Sequence, residues 1–271
     1  YPYPPVECQR AAAMDTAQSH RPSIAPQSVI SASPEAMETT PTSKKTTPFD
    51  ANFGLHLADH NIHKLNSMQK PDLAELLAAL ARPRKSPSLS NFSDSDFDTF
   101  VENVLGSSNI HDVLTYVIST ILGPRVSSYD TAQNVLFENM QPITDETVAV
   151  AKPQLYDGAS PVLLSKHVRD QLSNLIIPSI AEGTPVVPNF FLEVAEDNSL
   201  KVAKLQARYH GAIGARAMHS LQNFGKKVPE YDGKWYTYSS SYLSDGFIQI
   251  YAHHVTRPAL NGLMPDYKMT L

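Results

Sequence analysis

One carboxylate marks the stretch of this sequence whose residues are best suited to carry out a reaction. Glu193 directly follows the apolar run at 190–192, which predicts a buried strand. A turn at 196–198 leads into a long helical pattern, for which Ser199 is the predicted N-cap. A carboxylate at the end of a buried strand, followed by a helix with Lys, Gln and Arg, suits metal-assisted chemistry on phosphodiesters.

The long helix also carries a basic stripe. At about 100° per residue, five side chains fall on one third of its circumference: Lys201, Lys204, Arg208, Arg216 and His219. Such a stripe can contact nucleic-acid phosphates in register. A solvated helix face, without any ligand, is the alternative explanation.

The long helix is also rich in small residues. Ala203, Ala207, Gly211, Gly214 and Ala215 would allow the helix to approach a sheet closely. His210 lies on the apolar side, where we expect a hydrogen-bonded core histidine rather than a catalytic base. His253 and His254 are adjacent on a predicted strand and therefore point to opposite faces, so they are poorly placed to chelate one metal together.

Composition limits the classes of protein that this chain can belong to. The net charge is −5, which argues against a general nucleic-acid coat protein but allows a local basic face. Cys8 is the only cysteine, so no internal disulfide can form, and we expect an intracellular protein of the nucleus or cytoplasm. No apolar run is long enough for a membrane span, and neither a phosphate-cradling glycine loop nor zinc-ligand spacing is evident. Neither a membrane partner nor a small-molecule cofactor is expected.

The chain divides into a tail and one domain. Residues 1–87 are rich in Pro, Ser and Thr and are expected to be a disordered tail with a short helix near 71–81. Residues 88–271 are expected to form the folded domain. The pattern stops in mid-element at 270–271, which predicts a truncated C-terminus.

The periodicity of the domain predicts an α/β fold with a mixed central sheet flanked by helices. Besides the long helix, helices are predicted at 94–105, 109–122 and 161–177. Strands are predicted at 135–137, 147–151 and 190–192, followed by an aromatic hairpin of 234–242 and 247–253 around the Asp-Gly turn at 244–246.

Several segments resemble a large fungal family of uncharacterised proteins whose core is similar to the PD-(D/E)XK nuclease superfamily. They are FENMQPITDETV, KPQLYDGA, VRDQLSNLIIPS, PNFFLE, LQARYHGAIGARAMHSLQNFG and YDGKWYTYSSSY. The resemblance covers 88–271, and its most specific part is GARAMHSLQ. It implies a PD-(D/E)XK, or restriction-endonuclease-like, architecture.

The resemblance also implies a site. In this superfamily an Asp at the start of one strand and the acid of the next strand hold Mg²⁺, and a Lys two residues after the acid orients the nucleophile. Here Gln154 stands at the Asp position, Glu193 is the acid, and Ala195 replaces the Lys. Gln206 and Tyr209 match helix residues of related nucleases. Two of the three defining groups are therefore lost.

Three functions follow as expectations. The first is a catalytically degenerate domain that binds nucleic acid or a protein, with a residual site of Glu193, Gln154, Lys204, Gln206 and Tyr209. The second is an active nuclease that uses Mg²⁺ or Mn²⁺, with Glu193 and Asp157 as metal ligands and Lys204 as the ammonium. The third is a protein-interaction module that uses the aromatic hairpin. No cofactor is expected for the first and third.

Overall fold

Seven strands of this chain pair into one mixed sheet. The computed structural model describes residues 45–65, 74–81, 92–123, 129–195, 200–243, 246–258 and 264–271. The strands are β1 (Ile62–Lys64), β2 (Tyr129–Gln133), β3 (Leu155–Ala159), β4 (Val186–Ala195), β5 (Thr237–Leu243), β6 (Ile248–Thr256) and β7 (Asp266–Thr270). Their order across the sheet is β1-β7-β6-β5-β4-β3-β2. The pairs β1–β7 and β4–β5 are parallel, and the other neighbours are antiparallel. The predicted mixed α/β fold is confirmed.

One face of the sheet is covered by the long helix α8 (Leu200–Gln222), which buries its small residues against the strands. Phe191 of β4 and Tyr156 of β3 are fully buried in the core between them. The short helix α1 (Phe53–Asp59) adds its own fully buried Phe53 to the same core. This face therefore holds the larger of the apolar clusters.

A chain of short helices lies on the opposite face. They are α3 (Asp94–Gly106), α4 (Ile110–Asp112), a π-helical stretch (Val113–Ile118) and α5 (Ser119–Leu122). Leu114, Val117 and Ile118 pack there with Leu192 of β4. Ser93 closes a capping box with Asp96 at the start of α3, because each accepts a hydrogen bond from the other's backbone N–H. The helices predicted at 94–105 and 109–122 are thus confirmed.

The predicted start of the folded domain at 88 is wrong. The compact unit covers Ser43–Leu271, and it includes α1 and β1. β1 pairs with β7, the last strand in the chain, and Ile62 is 1% exposed. A three-residue strand is too short to show a periodic pattern, which is why this segment resembles a linker in the sequence.

Two of the predicted strands are also wrong. The runs at 135–137 and 147–151 form a loop, except for one isolated bridge between Thr46 and Val148. Some of their apolar side chains are buried, such as Phe137 (2% exposed) and Val148 (4% exposed), whereas Leu136 and Val150 are each 42% exposed. An apolar run indicates that part of the segment is buried, but it does not determine that the backbone pairs with another strand.

The helix predicted at 161–177 is broken into a 3-10 turn (Pro161–Leu163), α6 (Lys166–Gln171) and α7 (Ser173–Ile176). The predicted hairpin is confirmed, because β5 and β6 pair antiparallel. The helix predicted near 71–81 is α2 (Ala74–Ala81). Tail residues 1–44, linker residues 82–91 and the tip of the hairpin turn at 244–245 lie outside the described residues. Within the described part, no helix combines the length and the apolarity needed to cross a membrane.

Candidate functional site

The carboxylate of Glu193 is completely buried between β4 and α8. Its Oε1 lies 2.7 Å from Nδ1 of His210, whose imidazole N–H donates the hydrogen bond. His210 is 3% exposed, so the pair has almost no contact with water. Among the residues that the structure describes, Oε2 of Glu193 has no hydrogen-bond partner. The acid therefore lies in an enclosed polar pair rather than at an open surface, and His210 is the core histidine that the sequence predicts.

Polar side chains from β5 and β6 also lie under α8. Ser239 pairs in register with Phe191, and its Oγ lies 2.7 Å from Nε2 of His253 on β6. α8 can lie over this ring only because position 211 is glycine: a Cβ there would stand 2.1 Å from Cε1 of His253. The predicted close approach of the small residues is thus confirmed.

Burial keeps the two adjacent histidines of β6 neutral. Desolvation, followed by repulsion from His254, lowers the pKa of His253 to about 3 from its ordinary value of 6.5. Desolvation is also the main cause that lowers the pKa of His254 to about 4, and that ring packs edge-on against Trp235 at 4.2 Å between centroids. Neither histidine therefore carries a charge at neutral pH.

These shifts predict a loss of stability in acid. The unfolded chain binds more protons than the folded chain between pH about 6.5 and pH about 4, so the free energy of unfolding falls as pH decreases through this window. The expected slope is on the order of 1 kcal/mol per pH unit for each histidine. Urea unfolding at pH 7 and pH 5 measures it. His254→Gln should reduce the slope, whereas His111→Gln, at an exposed position, should leave it unchanged.

The structure does not bring together the predicted metal ligands Glu193 and Asp157. Asp157 lies on β3 in register with Phe190, so it faces the side of the sheet opposite to Glu193. Oγ1 of Thr131 donates a hydrogen bond of 2.6 Å to the Asp157 carboxylate. The two described carboxylates therefore do not fit a shared Mg²⁺ or Mn²⁺, and this expectation is wrong.

Gln154 is engaged in the sheet. Its side-chain Oε1 accepts a hydrogen bond of 2.7 Å from the backbone N–H of Val194, and its Nε2 donates to the carbonyl of the same residue at 3.3 Å. The amide thus replaces a missing strand residue beside β4. An aspartate could accept from the Val194 N–H but could not donate to its carbonyl, so the glutamine suits this structural role.

The remaining members of the predicted catalytic set are separated. Tyr209 donates its hydroxyl to the carbonyl of Ala149 at 3.1 Å, and burial raises its pKa to about 12. Gln206 is half-buried one helical turn before His210. Lys204 lines a groove with Met269 of β7. In the sheet, β7 is three strand spacings, or roughly 14 Å, from β4. A catalytic constellation of the expected kind is not formed.

Most of the predicted basic stripe is used inside the protein. Arg208 donates to the carbonyl of Gly54 at 2.6 Å, and Arg216 donates to the carbonyls of Gln141 and Pro142. Burial lowers the pKa of both arginines. His219 stacks on a tyrosine ring at 4.7 Å. Three of the five residues therefore hold other segments to α8, so the stripe as predicted is wrong.

Two lysines of the predicted stripe line an accessible groove, and a third lysine lines it with them. Lys201 and Lys204 line a groove of about 310 Å³ together with Lys64 of β1. We call it the lysine groove; its other lining residues are Leu200, Leu205, Arg208 and Met269. None of the three lysines forms an ion pair within the described residues. Lys64 has no signal in the sequence, because it reaches the groove only through the pairing of β1 with β7.

The site thus consists of a buried Glu193–His210 pair and, under the same helix near the β1–β7 edge of the sheet, an exposed cationic groove. The first is enclosed, and the second is accessible to a ligand. No protein-family model, no curated protein and no solved structure matches this chain.

Proposed function

We propose that this chain is a catalytically degenerate domain with a PD-(D/E)XK-like core, and that it binds nucleic acid through the lysine groove. The convergence of Lys64, Lys201 and Lys204 in one open groove carries the proposal. Gln154 directly precedes β3, and Glu193 lies on the neighbouring strand β4, which supports the PD-(D/E)XK-like core because the resemblance implies two metal-binding positions at adjacent strands.

The surroundings of Glu193 argue against catalysis. A metal-dependent nuclease needs a carboxylate that reaches both a hydrated cation and the substrate. Glu193 is 0% exposed and is bonded to His210, position 154 is an amide, and position 195 is alanine. Since Asp157 faces away, the alternative nuclease with Glu193, Asp157 and Lys204 has little geometric support.

The groove has the chemistry that a phosphate backbone requires. Its three ammonium groups lie on long flexible stems, which can follow phosphates of varied spacing. The net charge of the chain is −5, so a local cluster of lysines that form no ion pair with the described residues would attract a polyanion against the overall charge. Leu200, Leu205 and Met269 give the groove an apolar floor against which sugars or bases could pack.

Fluorescence anisotropy with labelled single- and double-stranded oligonucleotides tests this function. We expect the full chain to bind at low salt, and the triple variant Lys64→Ala, Lys201→Ala, Lys204→Ala to lose at least tenfold in affinity. Each phosphate contact removed should reduce the slope of log K against log salt by about 0.7 for single strands or about 0.9 for duplexes. The measurement is a salt titration of both proteins.

A matched control separates the groove from overall charge. The control is a second triple variant, Lys152→Ala, Lys166→Ala, Lys227→Ala. It removes an equal number of positive charges from exposed positions outside the groove. This control should keep most of the affinity and slope. Equal weakening by both triple variants, or no binding at any salt, would overturn the proposal. Metal-dependent cleavage lost in Glu193→Gln would instead revive the nuclease.

A protein partner at the hairpin is the second candidate. The large aromatic side chains Tyr242 and Tyr251 are buried in the sheet, so they cannot form the interface that the sequence suggested. However, Ile248 and Ile250 are 39% and 58% exposed on the first half of β6. Association that is insensitive to salt and unaffected by the lysine substitutions would favour a partner there.

A further inference from the structure

Two histidines and an aspartate converge near the start of the described chain. His56 is in α1, His60 follows the helix by one residue, and Asp145 lies in the loop between β2 and β3. Oδ1 of Asp145 is 3.4 Å from Nε2 of His56 and 3.5 Å from Nε2 of His60. The three ligand atoms all lie within 4.8 Å of one another. None of these residues belongs to the lysine groove or to the Glu193–His210 pair.

The spacing of these atoms fits a tetrahedral cation. Zinc binds imidazole nitrogen and carboxylate oxygen at about 2.0–2.2 Å, which places tetrahedral ligand atoms about 3.3–3.6 Å apart. The two separations from Oδ1 of Asp145, 3.4 and 3.5 Å, fall in this range, and all three ligand atoms lie within 4.8 Å of one another. His56 and His60 are four residues apart, which places two imidazoles on one side of a helical turn.

The second ring nitrogens are oriented as in metal-binding histidines. Nδ1 of His60 donates to the carbonyl of His56 at 2.9 Å, and a carbonyl can only accept. Nδ1 of His56 lies 3.3 Å from Oγ1 of Thr46. The first contact leaves the Nε2 lone pair of His60 directed at the cluster, as outer hydrogen bonds do around bound metals, and the Thr46 hydroxyl can accept in the same way from Nδ1 of His56.

A cation would also resolve an electrostatic conflict. Since Nδ1 of His60 donates to the His56 carbonyl, a neutral His60 turns its Nε2 lone pair toward Oδ1 of Asp145, which is itself an acceptor. The hydroxyl of Thr147 lies 2.9 Å from Nε2 of His56 and 2.5 Å from Oδ1 of Asp145, but it has only one proton to donate. Within the described part of the chain, Nε2 of neutral His60 and Oδ1 of Asp145 therefore face each other as two acceptors without a donor between them.

We propose that His56, His60 and Asp145 bind one zinc-like divalent cation. Two imidazoles and one carboxylate suit zinc, whereas magnesium and calcium prefer sites made of oxygen ligands. Three protein ligands leave a fourth position for water, and the side chain of Asp145 is 53% exposed toward solvent. The ion would link α1 to the loop between β2 and β3. The Thr147 carbonyl of this loop already accepts a hydrogen bond from the Thr46 N–H at 2.7 Å.

Titration of the chelator-treated full chain with Zn²⁺ and with Co²⁺ tests the site. Titration calorimetry should show uptake of one Zn²⁺ at this site. Thermal unfolding should show that Zn²⁺ raises the Tm. Co²⁺ should give the visible absorption of a four-coordinate ion, and excess Mg²⁺ should not displace it. His60→Ala and Asp145→Asn should each weaken Zn²⁺ affinity at least tenfold. His111→Ala, which removes an exposed histidine elsewhere, should not.

The choice of variants keeps the test informative. Asp145→Asn nearly preserves the shape of a 53% exposed side chain, so the variant should fold even if His60→Ala does not. Circular dichroism of each variant without metal provides the check. No uptake of Zn²⁺, or uptake that neither variant alters, would overturn the proposal. A six-coordinate Co²⁺ spectrum would overturn the four-coordinate geometry.

Discussion

Replacement of His210 by alanine is expected to lower the free energy of unfolding by about 3–5 kcal/mol. The reason is that the substitution leaves the carboxylate of Glu193 buried at 0% exposure without its hydrogen-bond donor. Oε2 has no other partner among the described residues that could compensate. Urea unfolding followed by circular dichroism at neutral pH measures the change.

Two further variants make this result interpretable. Glu193→Gln retains the shape of the side chain and removes its charge, so we expect a smaller loss of about 1–2 kcal/mol. His111→Ala, at an exposed position of α4, should change stability by no more than about 0.5 kcal/mol. A loss below about 1 kcal/mol for His210→Ala would mean that water reaches Glu193, and the argument against catalysis would then fail.

Gly211→Ala should also be strongly destabilising, although alanine is the better helix former. The new Cβ would lie 2.1 Å from Cε1 and 2.3 Å from Nε2 of His253, whose ring is itself fixed by Ser239. Overpacking of this kind costs about 1–3 kcal/mol or more, and it exceeds the gain of about 1 kcal/mol in helix propensity. Thermal and urea unfolding would both report the loss.

The chain offers a matched control for this substitution. Gly106 is the last residue of α3, and a Cβ there would meet nothing within 4 Å. Gly106→Ala should therefore be neutral or stabilising by up to about 1 kcal/mol. If Gly211→Ala proved as mild as Gly106→Ala, α8 would have to lie farther from β6 than the structure places it.

The helix α8 illustrates what the sequence can and cannot predict. Its small residues and His210 predict a face that lies close to a sheet, because helical periodicity is a local property. The fate of its arginines is not local. Arg208 donates to Gly54 and Arg216 to Pro142, residues that lie 154 and 74 positions away along the chain. A helical projection shows which side a residue occupies but not which segment covers that side.

The same limitation applies to the sheet. The apolar runs at 135–137 and 147–151 are only partly buried and their backbone forms a loop, while pairing occurs at β2 and β3. The hairpin was predictable because its Asp-Gly turn is a signal within adjacent residues. The lysine groove was predictable only in part, since Lys64 joins Lys201 and Lys204 through tertiary pairing. The PD-(D/E)XK-like core remains a proposal.

The pairing of β1 with β7 has a consequence for how the molecule folds. Lys64 is in register with Met269, so this contact joins positions about 200 residues apart. Closing a segment of that length is entropically costly, and contacts between distant residues slow folding. During synthesis, β1 can pair only after β7 has been made. The groove is thus completed only when both ends of the compact unit meet, so chains in which β1 has not yet paired with β7 lack one of its three lysines.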